Sequence, residues 1–375
     1  MTLDLLSVRQ NPGLRAAIAH FFFDGSPVSI TPHGEGNIND TYLLTSGNRS
    51  RWLLQRINSH VFVRPEQVMA NMRNAINHLI GEGRETGLVP ERLRVFELKT
   101  GRNGNDYFID EGGHWWRAIS FIPNSAAFRT ICRPQQAREI GAALGCFHRL
   151  LSTLRVEEMA DTLPGFHDTG KYLANYDVTL AEAGGASFSE EEGYCVDFVE
   201  QRRGLSDILT ASGRELTSQV THNDPKVANF LFSPDGDRVI SLVDLDTVKP
   251  GLILHDLGDA LRSCCSMGRE DFGDRGPLFD PEFFRSFLLG YQGEFGFRLT
   301  QGDRNRIVAA TLLITFELGL RFFSDHLGGN VYFKIDYPGH NLKRALSLFH
   351  QAARMERLRG QLDDIVAEIF LGHSR

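Results

Sequence analysis

The spacing of apolar residues changes at one point of the chain, near Pro123. Before Pro123, short stretches alternate apolar and polar residues, the pattern of strands that bury one face. After it, apolar residues recur at the 3.6-residue period of helices. We therefore predict an α+β fold made of two lobes. Residues 1–122 form a small, β-rich, antiparallel N-lobe, and residues 123–375 form a large, mostly helical C-lobe.

Local signals place the elements within each lobe. The N-lobe is predicted to contain a glycine-centred hairpin from Val28 to Tyr42, a strand over Trp52–Ile57 and a helix from Pro65. Later strands are expected at Leu93–Leu98, 107–110 and 115–122. The helical C-lobe is predicted to be interrupted once, by a hairpin within Asn229–Asp246 whose turn contains Pro-Asp-Gly.

Composition narrows the classes of function. The 375 residues include 40 Lys and Arg against 47 Asp and Glu, a net charge of -7 that does not favour nucleic-acid binding. The longest apolar stretch, Ile307–Phe323, contains Glu317 and Arg321, which argues against a membrane span. The first residues do not resemble a secretion signal. We expect a cytoplasmic protein that is a monomer or a weak homodimer.

Acidic and amide side chains gather at both ends of the predicted hairpin. Asp224, Lys226 and Asn229 lie within six residues, and the hairpin returns Asp244 beside Asn229. Phosphoryl transfer needs a carboxylate to accept a hydroxyl proton, a cation near the γ-phosphate and oxygen ligands for Mg²⁺. These four residues can supply all three.

A glycine-rich segment precedes the second strand of the predicted sheet. Gly34, Gly36 and Asn37 lie there, and glycines allow backbone N–H groups to approach phosphates closely. Alone, this segment would more often be a plain turn. The order of glycine loop, strand, helix, hinge, aspartate loop and hairpin is more specific, and it predicts a nucleotide site.

In this order of motifs, the chain resembles the aminoglycoside phosphotransferase and choline kinase-like superfamily, and within it the N-acetylhexosamine 1-kinases. The matching stretches are GEGNINDTYLL, WLLQRIN, VTHNDPKVANFLF, VDLDTVKPG, HDLGDALR, FELGLRFFSDHLGGNVYF and YPGHNL. The resemblance implies a two-lobed, protein-kinase-like fold, with ATP and Mg²⁺ as cofactors. Asp224 would then be the catalytic base and Lys226 the γ-phosphate partner, and Asn229 and Asp244 would bind Mg²⁺.

The resemblance also implies residues around the nucleotide. The backbone at Phe121 and Ile122 would bind adenine. Asp246 would either bind a second metal ion or begin the turn that follows. Protein kinases carry a lysine on the third strand, but this strand offers Gln55 and Arg56 on opposite faces. We expect Gln55 to face the phosphates, with Arg56 as an outer, salt-bridged residue.

The acceptor site is predicted on the apolar helix near residues 305–324. Glu317 and Arg321 are four positions apart, a spacing at which they could form a buried pair or Glu317 could orient Arg321 toward substrate. Tyr332 and Arg262 are further substrate candidates, although Arg262 could instead pair with Asp259 or Asp256. Asn37 could meet a phosphate or a sugar hydroxyl.

Three functions remain open on this sequence. The leading hypothesis is phosphoryl transfer from ATP to the anomeric hydroxyl of a sugar, an N-acetylhexosamine. The aromatic residue associated with that acceptor is Ser263 here, so a kinase for an aminoglycoside, a choline-like or a homoserine-like acceptor is the alternative. A catalytically silent nucleotide- or sugar-binding regulator is the remote third.

His167, Asp168 and Lys171 are interpreted as residues that anchor their loop, and not as a ligand site.

Overall fold

A computed structural model describes residues 11–371 except 24, 26, 35–37, 48, 184–187, 210–215 and 268–277. Its N-lobe contains one antiparallel sheet of order β1-β2-β3-β5-β4. The strands are β1 (Ser29–Pro32), β2 (Asp40–Thr45), β3 (Arg51–Ile57), β4 (Phe108–Ile109) and β5 (Trp115–Ser120). The predicted two-lobed fold is confirmed.

Two features of the N-lobe differ from the sequence-based prediction. Helix α1 (Pro12–Phe21) was not expected; the Asn11 side chain caps its start, and Pro12 occupies its first turn. The segment Leu93–Leu98 does not form a strand, and only Leu98 makes a bridge, to Ile119. Beyond β4, the segment reaches the outer edge of β5 only at its end, where the Lys99 N–H donates to the Ala118 carbonyl at 2.8 Å and the Ser120 N–H donates to the Glu97 carbonyl at 2.9 Å. Earlier in the segment, the Arg94 N–H donates to the Ile240 carbonyl of the C-lobe at 2.7 Å and not to the sheet.

Helix α2 (Pro65–Glu85) joins the two lobes. Met72, Ile76 and Leu79 on its buried face belong to the same apolar core as Ile140 and Leu144 of the C-lobe. A separate, smaller core around Leu44, Leu54 and Trp116 fixes α1 to the sheet. The chain leaves the sheet at Ser120 and enters the C-lobe through β6 (Ala126–Ala127), which pairs with the later segment Phe230–Phe232.

The C-lobe carries more β structure than the single hairpin that was predicted. That hairpin is present as β8 (Phe230–Phe232) and β9 (Val239–Leu242). Two further antiparallel pairs join β7 (Ser218–Thr221) to β10 (Lys249–Leu252), and β11 (Ser266–Met267) to β12 (Leu278–Phe279). The β7–β10 pair brackets the predicted catalytic loop, so it fixes both ends of the segment that carries the chemistry.

Helices build the rest of the C-lobe. They are α3 (Pro134–Leu151), α4 (Thr169–Glu182), α5 (Glu190–Glu200), α6 (Ile253–Cys264), α7 (Pro281–Glu294), α8 (Gln301–Arg304), α9 (Ile307–Leu327) and α10 (His340–Leu371). Helix α9 is the one described helix long and apolar enough to cross a membrane, but 83% of its most apolar window is buried within the protein. It packs against α6 and α10 as a core helix.

Candidate active site

Asp224, Lys226 and Asn229 are brought together by the loop between β7 and β8. Lys226 Nζ donates to Asp224 Oδ2 at 2.6 Å, and Asn229 Nδ2 donates to the Asp224 carbonyl at 2.8 Å. The loss of solvating water within the cleft would alone lower the pKa of Lys226. The carboxylates of Asp224 and Asp244 outweigh this effect and raise the pKa above its usual value. Lys226 therefore stays charged beside a carboxylate that is 29% exposed and can reach a substrate.

The shape of this loop depends on Asp256, a buried residue in the first turn of α6. Its carboxylate accepts the backbone N–H groups of His222 at 2.8 Å and Asn223 at 2.6 Å, together with His148 Nε2 at 2.9 Å. Burial alone would raise the pKa of Asp256, but these hydrogen bonds, that from His148 first, hold it below the usual range. Sequence reasoning considered Asp256 only as a partner of Arg262 and missed this role.

His222 holds the other side of the loop. Its Nε2 lies 2.9 Å from the Val243 carbonyl, and its Nδ1 accepts the Asp224 N–H at 3.3 Å. The ring thus ties the residue before Asp244 to Asp224 itself. The proximity of the two predicted catalytic segments is fixed by this internal bridge.

The hairpin returns Asp244 to the neighbourhood of Asn229, as predicted, and the Val243 N–H donates to the Asn229 carbonyl at 2.9 Å. Asp244 adopts a left-handed conformation, with φ of 68°. Asp244 is exposed, but the reduced solvation of its carboxylate within the cleft raises its pKa to about 6. The negative charge of Asp246 contributes in the same direction. Two carboxylates that repel each other in this way favour a bound cation.

The donors around Asp244 fit a magnesium ion that also binds phosphates. Within the described residues, no group of three or more His, Cys, Asp or Glu side chains forms a closed metal cage. Mg²⁺ typically uses one or two carboxylates, with waters and substrate phosphates completing its shell. Asn229 commits its amide nitrogen to Asp224, which leaves the amide oxygen for a metal. Asn229 and Asp244 are the residues that would hold the ion.

Asp246 is bound from the N-lobe. Asn39 Nδ2 donates to its Oδ2 at 2.6 Å, and Arg117 Nη2 lies 2.5 Å from its Oδ1. All three side chains lie at the junction between the lobes. Arg117 was not among the residues predicted from the sequence, although a single arginine within the apolar stretch of β5 was a visible signal.

The structure places Gln55 and Arg56 on opposite faces of the sheet, and Arg56 is salt-bridged as predicted. Arg56 forms an ion pair with Asp40 on one face of the sheet. Gln55 lies on the other face, where it donates to Thr41 Oγ1 at 3.1 Å and accepts from Arg117 Nε at 2.9 Å. Gln55 therefore belongs to the face that carries Arg117.

The remaining nucleotide-site predictions are only partly visible. Gly36 and Asn37 lie outside the described residues, whereas Gly34 follows β1 with φ of +76°, a conformation that favours glycine. At the hinge, the Phe121 N–H donates to the Arg51 carbonyl at 3.1 Å, and the Ile122 carbonyl accepts from Ser125 Oγ at 2.8 Å. Part of this backbone is thus engaged within the protein.

One expectation for the acceptor site is wrong: Glu317 does not hold the Arg321 guanidinium. Its carboxylate accepts instead from His167 Nδ1 at 2.9 Å and Thr169 Oγ1 at 2.7 Å. The buried Glu317 finds these two partners at and just before the start of α4, and together they satisfy both of its oxygens. His167 Nε2 also reaches the Asn223 carbonyl at 3.0 Å, so the predicted loop anchor is confirmed for His167.

Arg321 is surrounded by aromatic rings. Its guanidinium carbon lies 5.1 to 5.8 Å from four ring centroids, those of Phe166, Tyr172, Tyr332 and Phe333. These are distances of cation–π contacts. No hydrogen bond joins the Arg321 guanidinium to another described residue, so its N–H donors remain available to a ligand.

Tyr332 is placed beside Arg321 by Asp325. The Asp325 carboxylate accepts the backbone N–H groups of Val331, Tyr332 and Phe333 at 2.9, 2.8 and 3.0 Å. Tyr332 itself remains 46% exposed. Asp325 therefore fixes the loop backbone and leaves the tyrosine side chain free to contact a ligand.

Arg262 takes its alternative partner. Its Nε and Nη2 lie 2.9 and 2.6 Å from Asp259 Oδ1, and the side chain is buried. Arg262 thus forms, within α6, the ion pair with Asp259 that the sequence left open as the alternative. The next residue, Ser263, accepts the Val227 N–H at 2.9 Å through its hydroxyl oxygen. It thus attaches the loop that carries Asp224 to helix α6.

The antiparallel sheet of the N-lobe lies over the helical C-lobe. The loop that carries Asp224 and the loop that carries Asp244 meet at the junction of the two lobes. This arrangement defines a two-lobed, kinase-like protein. The family model of the phosphotransferase enzyme family known as APH matches residues 29–297, and the chain belongs to this family. It is a small-molecule phosphotransferase.

Solved structures share the fold over nearly the whole chain. The amicoumacin kinase hAmiN, in complex with AMP-PNP, Ca²⁺ and Ami, is 14% identical with a TM-score of 0.58, covering 96% of this chain and 93% of that one. A microcompartment-associated aminopropanol kinase is 16% identical (TM-score 0.59, coverage 96% and 99%). Choline kinase from Cryptosporidium parvum Iowa II is 13% identical (TM-score 0.54, coverage 95% and 96%).

Proposed function

We propose that this protein transfers the γ-phosphoryl group of ATP, with Mg²⁺, to a hydroxyl group of a small polyhydroxylated molecule. The amicoumacin kinase structure, with its nucleotide analogue and divalent cation, supports the nucleotide and metal requirement. The arrangement of Asp224, Lys226 and Asn229 supports the reaction, because it sets a base, a cation and a metal ligand within one loop.

Each residue of the loop has a distinct task in this proposal. Asp224 orients the acceptor hydroxyl and takes its proton, while Lys226 holds the carboxylate in place and offers positive charge to the transferred group. Mg²⁺ would neutralise the phosphate charge, held by Asn229 and Asp244. Asp256 keeps the loop rigid, so that the base is already oriented when substrate arrives.

The available donors of Arg321 carry the proposal on the acceptor. Burial alone would lower the pKa of Arg321, but the Tyr172 and Tyr332 hydroxyls, and then the carboxylates of Glu317 and Asp224, raise it. Arg321 is therefore a permanent cation close enough to Asp224 to interact with it electrostatically. Such a site favours a neutral, hydroxyl-rich acceptor over a positively charged one.

Within this class we propose a sugar, phosphorylated at its anomeric hydroxyl, with an N-acetylhexosamine as the first candidate. The wider alternative, a kinase for another small hydroxyl acceptor, has the better support from the solved structures, whose names include amicoumacin, aminopropanol and choline kinases. Tyr332 beside Arg321 favours the sugar, because an exposed aromatic ring can pack on a sugar face.

The test is phosphoryl transfer to a panel of acceptors. Purified protein would be incubated with Mg²⁺-ATP and N-acetylglucosamine, N-acetylgalactosamine, plain hexoses, kanamycin, choline, aminopropanol or homoserine. Products would be identified by ³¹P NMR, and Asp224→Asn would serve as the inactive control. Phosphate on C1 of a sugar, absent in the control, supports the sugar proposal. Transfer to kanamycin, choline or aminopropanol alone contradicts it and assigns the wider alternative.

A further inference from the structure

The nucleotide site lacks the lysine that protein kinases carry on the third strand, but an arginine lies directly beside that position. Gln55 of β3 and Arg117 of β5 are cross-strand partners. Directly opposed residues on neighbouring strands point to the same face of the sheet. Arg117 therefore occupies the face, and nearly the position, from which a third-strand cation would act.

Arg117 makes one side-chain hydrogen bond and one ion pair, which leave its Nη1 unused. Nε donates to Gln55 Oε1 at 2.9 Å, and Nη2 lies 2.5 Å from Asp246 Oδ1. Nη1 is buried and has no hydrogen-bond partner among the described residues. The side chain is only 1% exposed. A buried N–H group without an acceptor is costly, so this nitrogen points to a missing ligand.

The other cations of the N-lobe sheet are engaged elsewhere. Arg56 pairs with Asp40 on the opposite face. Arg51 lies 4.0 Å over the Phe121 ring, and Lys99 lies 4.8 Å from the Trp52 ring. Among these residues, Arg117 is the one that contacts the loop of Asp244 and Asp246 in the C-lobe.

We propose that Arg117 is the phosphate-binding cation of the nucleotide site, taking the role of the absent third-strand lysine; this inference rests on the proposed function. Without nucleotide, Arg117 is neutralised by Asp246. With nucleotide, its planar group binds a phosphate oxygen through Nη1 while Gln55 keeps Nε in place. An arginine suits this double task, because its donors diverge in a fixed plane and can serve two acceptors at once.

Asp246 becomes the counterpart of this arginine. It is bound by Arg117 and Asn39 from the N-lobe and lies two residues after Asp244. The Arg117–Asp246 pair thus links the sheet to the loop that carries Asp244, at the point where phosphates and metal would meet. Arg117 is a binding residue for the nucleotide and, through Asp246, a positioning residue for the loop.

The test compares Arg117→Gln with Arg56→Gln, a matched change on the opposite face of the same sheet. Affinities for ATP, ADP and adenosine would be measured by calorimetry in the presence of Mg²⁺ and the absence of any acceptor. We expect Arg117→Gln to weaken ATP and ADP about 10- to 100-fold, the loss of a charge-assisted hydrogen bond, and to leave adenosine unchanged. Arg56→Gln should change all three less than about threefold, in keeping with an exposed ion pair.

A second variant covers the case in which Arg117→Gln fails to fold because Asp246 is left buried without its cation. Arg117→Gln with Asp246→Asn removes both charges, and unchanged adenosine binding would verify its fold. Equal ATP affinity in the wild type and in a folded Arg117 variant would overturn the phosphate role while leaving the proposed function intact. A wild-type protein that binds neither ATP nor ADP would overturn both.

Discussion

His167 Nδ1 lies 2.9 Å from Glu317 Oε1, and this contact is one half of a link between helix α9 and the loop that carries Asp224. The other ring nitrogen, Nε2, lies 3.0 Å from the Asn223 carbonyl oxygen. A carboxylate and a carbonyl both accept hydrogen bonds, so both nitrogens of His167 must donate. A histidine donates from both nitrogens only when it is protonated. His167 is therefore an imidazolium ion buried next to the residue that precedes Asp224.

The charge of His167 makes stability depend on pH. Burial alone would lower the pKa of His167, but Glu317 first, and then the Asn223 carbonyl, raise it above its usual value. A raised pKa in the folded state gives stabilisation that is complete below the unfolded pKa of about 6.5. This stabilisation is lost as pH rises through the folded pKa. We expect the free-energy difference between wild type and His167→Gln, measured by urea unfolding, to shrink from pH 6 to pH 9.

His255 provides the matched control for that titration. Its ring lies 4.7 Å from that of His167, but burial and the His167 charge lower the pKa of His255 to about 3. His255 is thus neutral across the range from pH 6 to pH 9, and its lowered pKa affects stability only toward acid. A His255→Gln variant should keep the alkaline pH dependence of the wild type. If it abolished that dependence as His167→Gln does, the assignment to His167 would be wrong.

Asp224→Asn should abolish most of the catalysis without unfolding the protein. The variant keeps the size of the side chain but cannot accept the acceptor's proton, and a positioned general base contributes about 10²- to 10⁴-fold. We expect kcat to fall by that factor while the KM for ATP changes little. Asp168→Asn is the matched control, because Asp168 caps helix α4 and asparagine caps equally well. A fall in kcat of less than tenfold for Asp224→Asn would remove Asp224 from the role of base.

Asp256→Ala should be the most destabilising of the acidic substitutions near the site. It would leave two backbone N–H groups of the catalytic loop and His148 without their common acceptor. Removal of one partner from a buried charged network costs about 3–5 kcal/mol, and we expect that loss in the free energy of unfolding by urea. Asp237→Ala, which breaks an exposed pair with Arg133, should cost less than about 1 kcal/mol. Equal losses of unfolding free energy for both variants would contradict the role of Asp256 as the shared hydrogen-bond acceptor of the loop.

The features that the sequence predicts correctly are those encoded locally. Asn229 and Asp244 are brought together by one hairpin, whose turn residues and flanking apolar strands all lie within 18 residues. The alternation of side chains along β3 likewise separates Gln55 from Arg56. Both follow from the period and the turn chemistry of neighbouring residues, without knowledge of what packs on them.

The contacts that the sequence did not predict join distant segments. Glu317 and Arg321 have the spacing of a helical pair, but His167, 150 positions away, takes the carboxylate instead. In the buried environment of α9, a hydrogen bond from a tertiary partner outweighs the weak preference of a pair four residues apart. The Arg117–Asp246 contact is similar, because it depends on how the sheet lies on the C-lobe rather than on either local sequence.

Arg321→Gln should impair acceptor binding and leave the nucleotide site unaffected. The guanidinium makes no hydrogen bond to another described residue, so its loss removes contacts with the ligand rather than contacts within the protein. Loss of a charge-assisted hydrogen bond corresponds to about a 10- to 100-fold rise in the acceptor KM, with the KM for ATP unchanged. Arg344→Gln is the matched control, because Arg344 also lies over an aromatic ring, 5.2 Å from that of Phe322, but donates to the Lys334 carbonyl. Steady-state kinetics with the acceptor found in the panel would separate the two variants. An unchanged acceptor KM in Arg321→Gln would make this arginine a packing residue of the aromatic cluster, and the acceptor would have to be bound elsewhere around Asp224.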